Sequence, residues 1–211
     1  MSLALDNTRS GTIGESDRRV ASRQTSKLLG DLMAPIDPDQ PLTVLEVGRI
    51  LPETVQFFSR YRCRIHVLDL FTELADGALD EAVVGTTLQR RFQDLFAFSA
   101  GTVIDVCLLW DFPHYLDEYQ LRAFSRALWP WLNPGSRAHG FGVHSAATTL
   151  LNRDYGIIDQ QTISSRPRGI LSVPRSPHPQ SFMNEWLTCF ATSRGVLLPD
   201  GKVEVLMHAR V

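Results

Sequence analysis

Cysteine is scarce in this chain. Cys63, Cys107 and Cys189 are far apart in 211 residues, odd in number and without a CxxC pair, which excludes a disulfide framework or a zinc knuckle. No apolar run approaches the ~20 residues that span a bilayer. The opening MSLALDNTRSGTIG has neither the basic start nor the apolar stretch of a secretory signal. A cytoplasmic location with no membrane partner is the resulting expectation. A surplus of positive charge is also missing. The net charge is -2, so no global field favours nucleic acid or an anionic surface. There is no GxSxG nucleophile elbow and no GxxxxGK[ST] phosphate loop. The histidines at 114, 139, 144 and 178 show no metal-ligand spacing. Internal repeats and low-complexity tracts are absent too.

What is present is ordinary for a soluble globular domain. Hydrophobic residues make up 44% and charged residues 21%, in a chain long enough for one sizeable core and not for two. Residues 1–14 are small and polar and read as loosely ordered, leaving 15–211 as one domain. Ser16 is placed to cap a helix over 16–33, stopped by the turn-forming APIDPDQP. A rhythm of strands and helices follows. Strands are expected at Leu42–Val47, 64–70, 87–93, 104–110 and Arg137–Val143. Helices are expected from Pro52 to about Tyr61, over 72–83 and over 117–128. Strands that are apolar along their length and alternate with helices imply a parallel sheet covered on both faces. The tail departs from this rhythm. A helix over 180–191 precedes two apolar runs, 195–198 and 203–209, that flank Pro199-Asp200-Gly201-Lys202, a hairpin signal. Residues 144–179, with four prolines and four arginines, read as an irregular insert or lid.

In an open α/β sheet, ligands bind beyond the carboxyl ends of the strands, so the strand ends are where chemistry is sought. The first ends in Glu46-Val47-Gly48, where glycine lets backbone approach a ligand and the next helix offers free N–H groups. Asp69 closes the second strand, at the ~20-residue spacing at which a carboxylate meets ribose hydroxyls. Asp94 follows the third expected strand, suited either to an adenine amino group or to capping a turn. The fourth ends in Trp110-Asp111-Phe112-Pro113-His114-Tyr115. Asp111 or His114 is placed to take a proton from a nucleophile, with Trp110 or Tyr115 lining a pocket.

The series Leu45-Glu46-Val47-Gly48, Val67-Leu68-Asp69, Gln93-Asp94-Leu95, Ile104 to Asp111, and Leu132-Asn133-Pro134-Gly135-Ser136 resembles the motifs of class I S-adenosylmethionine (SAM)-dependent methyltransferases over about 42–143. The terminal helix and hairpin resemble that family's sheet ending. The resemblance implies a Rossmann-like, doubly wound α/β sheet, mostly parallel, of the seven-strand type with a C-terminal antiparallel hairpin. It implies SAM as cofactor, with Glu46 and Gly48 framing its amino-acid end, Asp69 and Leu70 its ribose, Asp94 and Leu95 its adenine, and Trp110 beside it. Phe112 and Tyr115 would face the substrate, with Asp111 and His114 as catalytic candidates. The chain departs from the family at the glycine loop, where Ile50 and Pro52 take the places of two glycines. Two functions are left open: methyl transfer to an unknown small-molecule or protein acceptor, and a non-catalytic binding or scaffold role on the same fold. A different nucleotide-dependent enzyme using the same crevice is a third.

Overall fold

The computed structural model describes residues 21–77, 86–169 and 175–211. The strands are β1 (Ser22–Thr25), β2 (Leu42–Val47), β3 (Cys63–Leu68), β4 (Val106–Trp110), β5 (Arg137–Val143), β6 (Arg153–Asp159), β7 (Thr162–Pro167), β8 (Phe190–Leu197) and β9 (Lys202–Ala209). The helices are α1 (Leu29–Met33), α2 (Pro52–Phe58), α3 (Leu70–Ala75), α4 (Thr86–Leu95), α5 (Glu118–Leu128) and α6 (Gln180–Trp186).

Six strands form the central sheet in the order β3-β2-β4-β5-β9-β8. The first four run parallel, and β9 and β8 close the sheet as an antiparallel pair. The hairpin turns at Gly201, whose φ of +81° suits glycine. Residues along each central strand alternate between the two faces. Leu45, Val47, Cys107, Leu109 and Ala138 pack with α3, α4, α5 and α6 on one side. Val44, Val106, Leu108, Trp110 and Phe141 pack with α1 and α2 on the other. This is the doubly wound, mostly parallel α/β arrangement with a terminal hairpin.

The third expected strand is the main correction. Residues 87–93 lie within helix α4. Leu88 and Phe92 stand four apart and, with Phe96, are buried against Phe124 of α5, while Gln93 and Asp94 face solvent. That is helical spacing. The sheet therefore has six strands among the described residues rather than seven, with β3 at its edge.

Other elements differ in extent. Of the expected 16–33 helix, the described residues from 21 onward form α1 alone. Strand β1 precedes it, and Ser16 lies outside the described residues, as do 1–14. The 72–83 helix is α3 to Ala75, with 78–83 outside the described residues. The 180–191 helix stops at Trp186, because from Phe190 the chain pairs with β9. Asp117 caps α5 with a complete capping box to Gln120.

Residues 144–179 are not simply irregular. They contain the hairpin β6–β7, which joins β1 in a separate three-stranded antiparallel sheet. Tyr155, Ile157 and Ile163 belong to the core shared with α1 and α2. The hairpin is bound to α2 by polar contacts as well. Thr54 Oγ1 accepts from the Ile157 N–H at 3.0 Å, and Glu53 accepts from Ser164 and pairs with Arg166 at 2.8 Å.

The α4–α5 aromatic contact supplies a test of the helix assignment. Phe92→Ala is expected to cost about 3–5 kcal/mol. Gln93→Ala on the solvent face is expected to stay within about 0.5 kcal/mol. Urea midpoints at unchanged slope check both.

Candidate functional site

Strands β2 and β4 are neighbours, and their carboxyl ends are joined by a hydrogen bond from the Trp110 indole N–H to Glu46. The register of β4 on β5 shifts between Leu108 and Trp110. Trp110 sits at φ +50°, the one non-glycine residue in the left-handed region among the described residues. Such a conformation in a bulky residue is held only where its surroundings over-determine it. Here the indole stacks on Tyr155 with ring centroids 5.5 Å apart. Glu46 is fully buried, and burial pushes its carboxyl well above the usual range although the indole bond opposes this.

Gly48 follows with φ +110°. A Cβ placed on it would lie 3.0 Å from the ring of Phe71, so the phenyl group occupies the space over the glycine. Phe71 comes from α3, directly after the strand-end acid Asp69, and meets Tyr115 edge-on at 4.9 Å and Phe112 at 5.2 Å. Above it lies Arg168, whose guanidinium carbon is 3.4 Å from the Phe71 ring centroid and 5.3 Å from that of Tyr115. Arg168 donates to Asp154 at 2.8 Å, to Asn152 at 3.1 Å, to the Arg153 carbonyl, and at 3.4 Å to Asp111. The hairpin closes the same region from the side. A Cβ on Gly156 would meet Leu51 at 2.9 Å, so only glycine lets β6 come this close to the loop after β2. The crevice beyond the strand ends is thus filled by the chain itself.

The structure brings Glu46, Gly48, Trp110, Asp111 and Tyr115 together at one end of the sheet, but it revises several roles. Asp111 is fully buried, and burial raises its pKa against the opposing pull of Arg168. It has no exposed face from which to take a substrate proton. His114 is also fully buried and both its ring nitrogens are engaged. Nδ1 accepts from the His178 N–H at 3.0 Å, which places the ring proton on Nε2, where it is donated to the Phe141 carbonyl at 3.0 Å. Burial, with His178 adding, pushes its pKa down to about 4. His114 is therefore a neutral structural tie rather than a general base. Phe112 does not face a substrate, because it is buried between Phe71 and Phe124. Tyr115 is nearly buried and donates to Asn152 at 3.3 Å.

Asp94 is an exposed residue of α4 rather than a strand-end acid, and Leu95 beside it is partly buried against the core. Leu70 is buried at the start of α3. Asp69 is where the reading of the chain put it, exposed at the end of β3, with its carboxylate accepting from Thr72 at 3.0 Å. Arg49 is exposed. Arg168, Phe71 and Asp154 complete the site. Sequence reasoning assigned none of them there, and the arginines of the 144–179 region were the one available signal.

Elsewhere, Glu204 of β9 gathers Ser26, the N–H groups of Lys27 and Leu28, and His139 at 2.9 Å. Burial pushes its carboxyl up, but the bond to His139 and the further donors hold it down to about 2. No group of three or more metal-ligating side chains occurs among the described residues, and no described helix is long and apolar enough to cross a membrane.

No family model matches the chain, and no curated protein matches it. Among solved structures it is similar to the N-methyltransferase NodS from Bradyrhizobium japonicum WM9, in complex with S-adenosyl-L-homocysteine. The TM-score is 0.48 at 12% identity, over 88% of this chain and 85% of that one. It is similar to the glycopeptide N-methyltransferase MtfA complexed with SAM, with TM-score 0.46 and 13% identity, over 86% of this chain and 92% of that one. It is also similar to the mitomycin 7-O-methyltransferase MmcR, with TM-score 0.47 and 15% identity over 86% of this chain. The chain spans about half the length of that protein, 52%.

The buried histidine generates a pH prediction. With a folded pKa of about 4 against an ordinary 6.5, the unfolded chain takes up the proton first as pH falls. Stability is therefore full above about pH 6.5 and declines toward pH 4, the His114 share being roughly 3 kcal/mol. Urea unfolding at a series of pH values should show this slope, shallower in His114→Gln. A second expectation concerns the glycine under Phe71. Gly48→Ala forces a side chain into a left-handed conformation against a ring and should cost about 1–3 kcal/mol, read as a lowered melting temperature.

Proposed function

We propose that this chain is a methyltransferase-like protein whose crevice is held shut by its own side chains, and that it works by binding rather than by methyl transfer. The observation that carries this reading is the stack of Arg168 on Phe71 on Gly48. If SAM bound as the family resemblance implies, its amino-acid end would lie over Gly48 beside Glu46. Phe71 stands over the glycine, and Glu46 is engaged by Trp110. As arranged, Phe71 and the bonded Glu46 occupy the place the resemblance gives to that end of the cofactor. Ile50 and Pro52 in the glycine loop point the same way. The two side chains nearest to acid–base roles, Asp111 and His114, are buried and bonded internally. Three free cysteines, two of them buried, suit a cytoplasmic setting.

One observation favours a second reading, a SAM-dependent enzyme acting on a small-molecule or protein acceptor. Asp69 is exposed at the strand end, its carboxylate accepting from Thr72 of its own helix, so the ribose-binding position implied by the resemblance is accessible. On this reading Phe71 and Arg168 leave the crevice when the cofactor enters, and SAM supplies the methyl group.

Calorimetric titration with SAM and S-adenosylhomocysteine separates the two. The expected result is no binding up to millimolar ligand, with a cooperative thermal melt confirming the fold. Micromolar binding, weakened about 5- to 150-fold in Asp69→Ala as for a lost hydrogen bond worth about 1–3 kcal/mol, would instead establish the second reading.

A further inference from the structure

The group that fills the crevice is a cation held between aromatic faces and buried acids. The walls of this chamber are the Phe71 and Tyr115 rings, at 3.4 and 5.3 Å from the guanidinium carbon. Aromatic faces attract cations, most strongly when desolvated. Its acids are Asp111 and Asp154, both buried, and Glu46 lies within electrostatic reach of Asp154. Arg168 itself is almost wholly covered, with 6% of its side chain exposed.

Yet Arg168 does not saturate the chamber. Its contact with Asp111 is the longest of its hydrogen bonds, 3.4 Å, against 2.8 Å to Asp154. Asp111 Oδ2 is buried with no hydrogen-bond partner, and so is Glu46 Oε2. A buried carboxyl oxygen without a partner is costly, and Arg168 as placed leaves that of Asp111 unmet. Lys202, a second cation near Asp111, is engaged with Asp200 at 3.1 Å and Gln24 at 3.2 Å, over the faces of Phe141 and Tyr155. Arg168 is constrained as a free group would not be. It sits just past the end of β7, and its backbone N–H is tied to the Asn152 carbonyl at 3.0 Å. An untethered guanidinium, with five donors in a planar fork, can address both oxygens of one carboxylate.

We infer that the closed crevice is a guanidinium-binding site that the chain fills with its own Arg168, and that its ligand is an arginine-type head group, either free or carried on the side chain of a partner protein. Arg168 acts as an internal stand-in for that ligand, and a competing guanidinium takes the same aromatic wall and the same carboxylates. The inference rests on the reading that the crevice is self-filled.

The test uses the full chain with Arg168→Ala and methylguanidinium as probe. Thermal melts of the variant should shift upward by several degrees, saturating in the millimolar range as expected for a weak native-state ligand. Methylurea, the uncharged isostere, should give no shift. Adding Asp111→Asn to the variant should abolish the methylguanidinium effect. An equal shift with methylurea, no shift at all, or a shift that survives Asp111→Asn would overturn the assignment. If Arg168→Ala purifies unfolded, refolding yield by near-ultraviolet circular dichroism replaces the melt. A gain with methylguanidinium alone supports the site, and a gain with neither additive or equally with both overturns it. In Arg168→Ala the arms with N-acetyl-L-argininamide and with an arginine-centred pentapeptide separate the two sources. Both compounds acting at similar concentration identifies a partner side chain, and the small compound alone identifies a free ligand. SAM binding by the wild-type chain would defeat the proposed function while leaving these melts to judge the guanidinium site separately.

Discussion

The indole N–H of Trp110 reaching Glu46 is the interaction on which the closed end of the sheet depends. It bridges two neighbouring parallel strands where their backbone pairing ends, and it gives a buried carboxyl a donor that water cannot supply. The register shift in β4 and the left-handed backbone of Trp110 are strained features that persist only if the side chain gains enough on arrival. It gains the bond to Glu46 and the stack on Tyr155. That stack seats β6, and with it the second sheet, against the strand ends. The hairpin then delivers Arg168 to the face of Phe71.

The interior polar groups follow one logic with two outcomes. Around Glu204, Ser26, His139 and two backbone N–H groups supply donors to a single carboxylate. That cluster ties α1 and β5 to β9 and reads as structural. At the crevice Asp111 Oδ2 and Glu46 Oε2 are buried without a hydrogen-bond partner, as is His139 Nδ1 beside Glu204. Buried ion pairs of this kind are weak evidence for stability, since desolvation offsets much of the attraction. Their position at the end of the sheet where ligands usually bind is the more informative fact.

Where sequence reasoning succeeded, the local signal agreed with the tertiary outcome. The strands at 42–47 and 137–143, the helix over 117–128 and the terminal hairpin all carry patterns that only one packing satisfies. It failed where two periods competed. Residues 87–93 read as a short strand. Yet Leu88 and Phe92 stand four apart, and packing against Phe124 selected the helix. In 153–167 the signal was obscured because buried positions are occupied by arginine, aspartate and serine: Arg153, Asp154, Ser164 and Ser165. These are tolerated inside only because partners distant in sequence satisfy them. The partners of Asp111 and His114 were equally hidden, lying 57 and 64 residues away in Arg168 and His178.

The amino-acid sequence by itself determined the alternation of elements, the parallel core, the antiparallel ending and the placing of Glu46, Gly48, Asp69 and Trp110 at strand ends. Each of these follows from periodicity and turn chemistry within a few residues. Only the tertiary structure decided what stands in front of those strand ends. Whether a crevice is open or filled depends on side chains brought from α3 and from the segment after β7, and contacts between residues so far apart in the chain leave no local pattern to read.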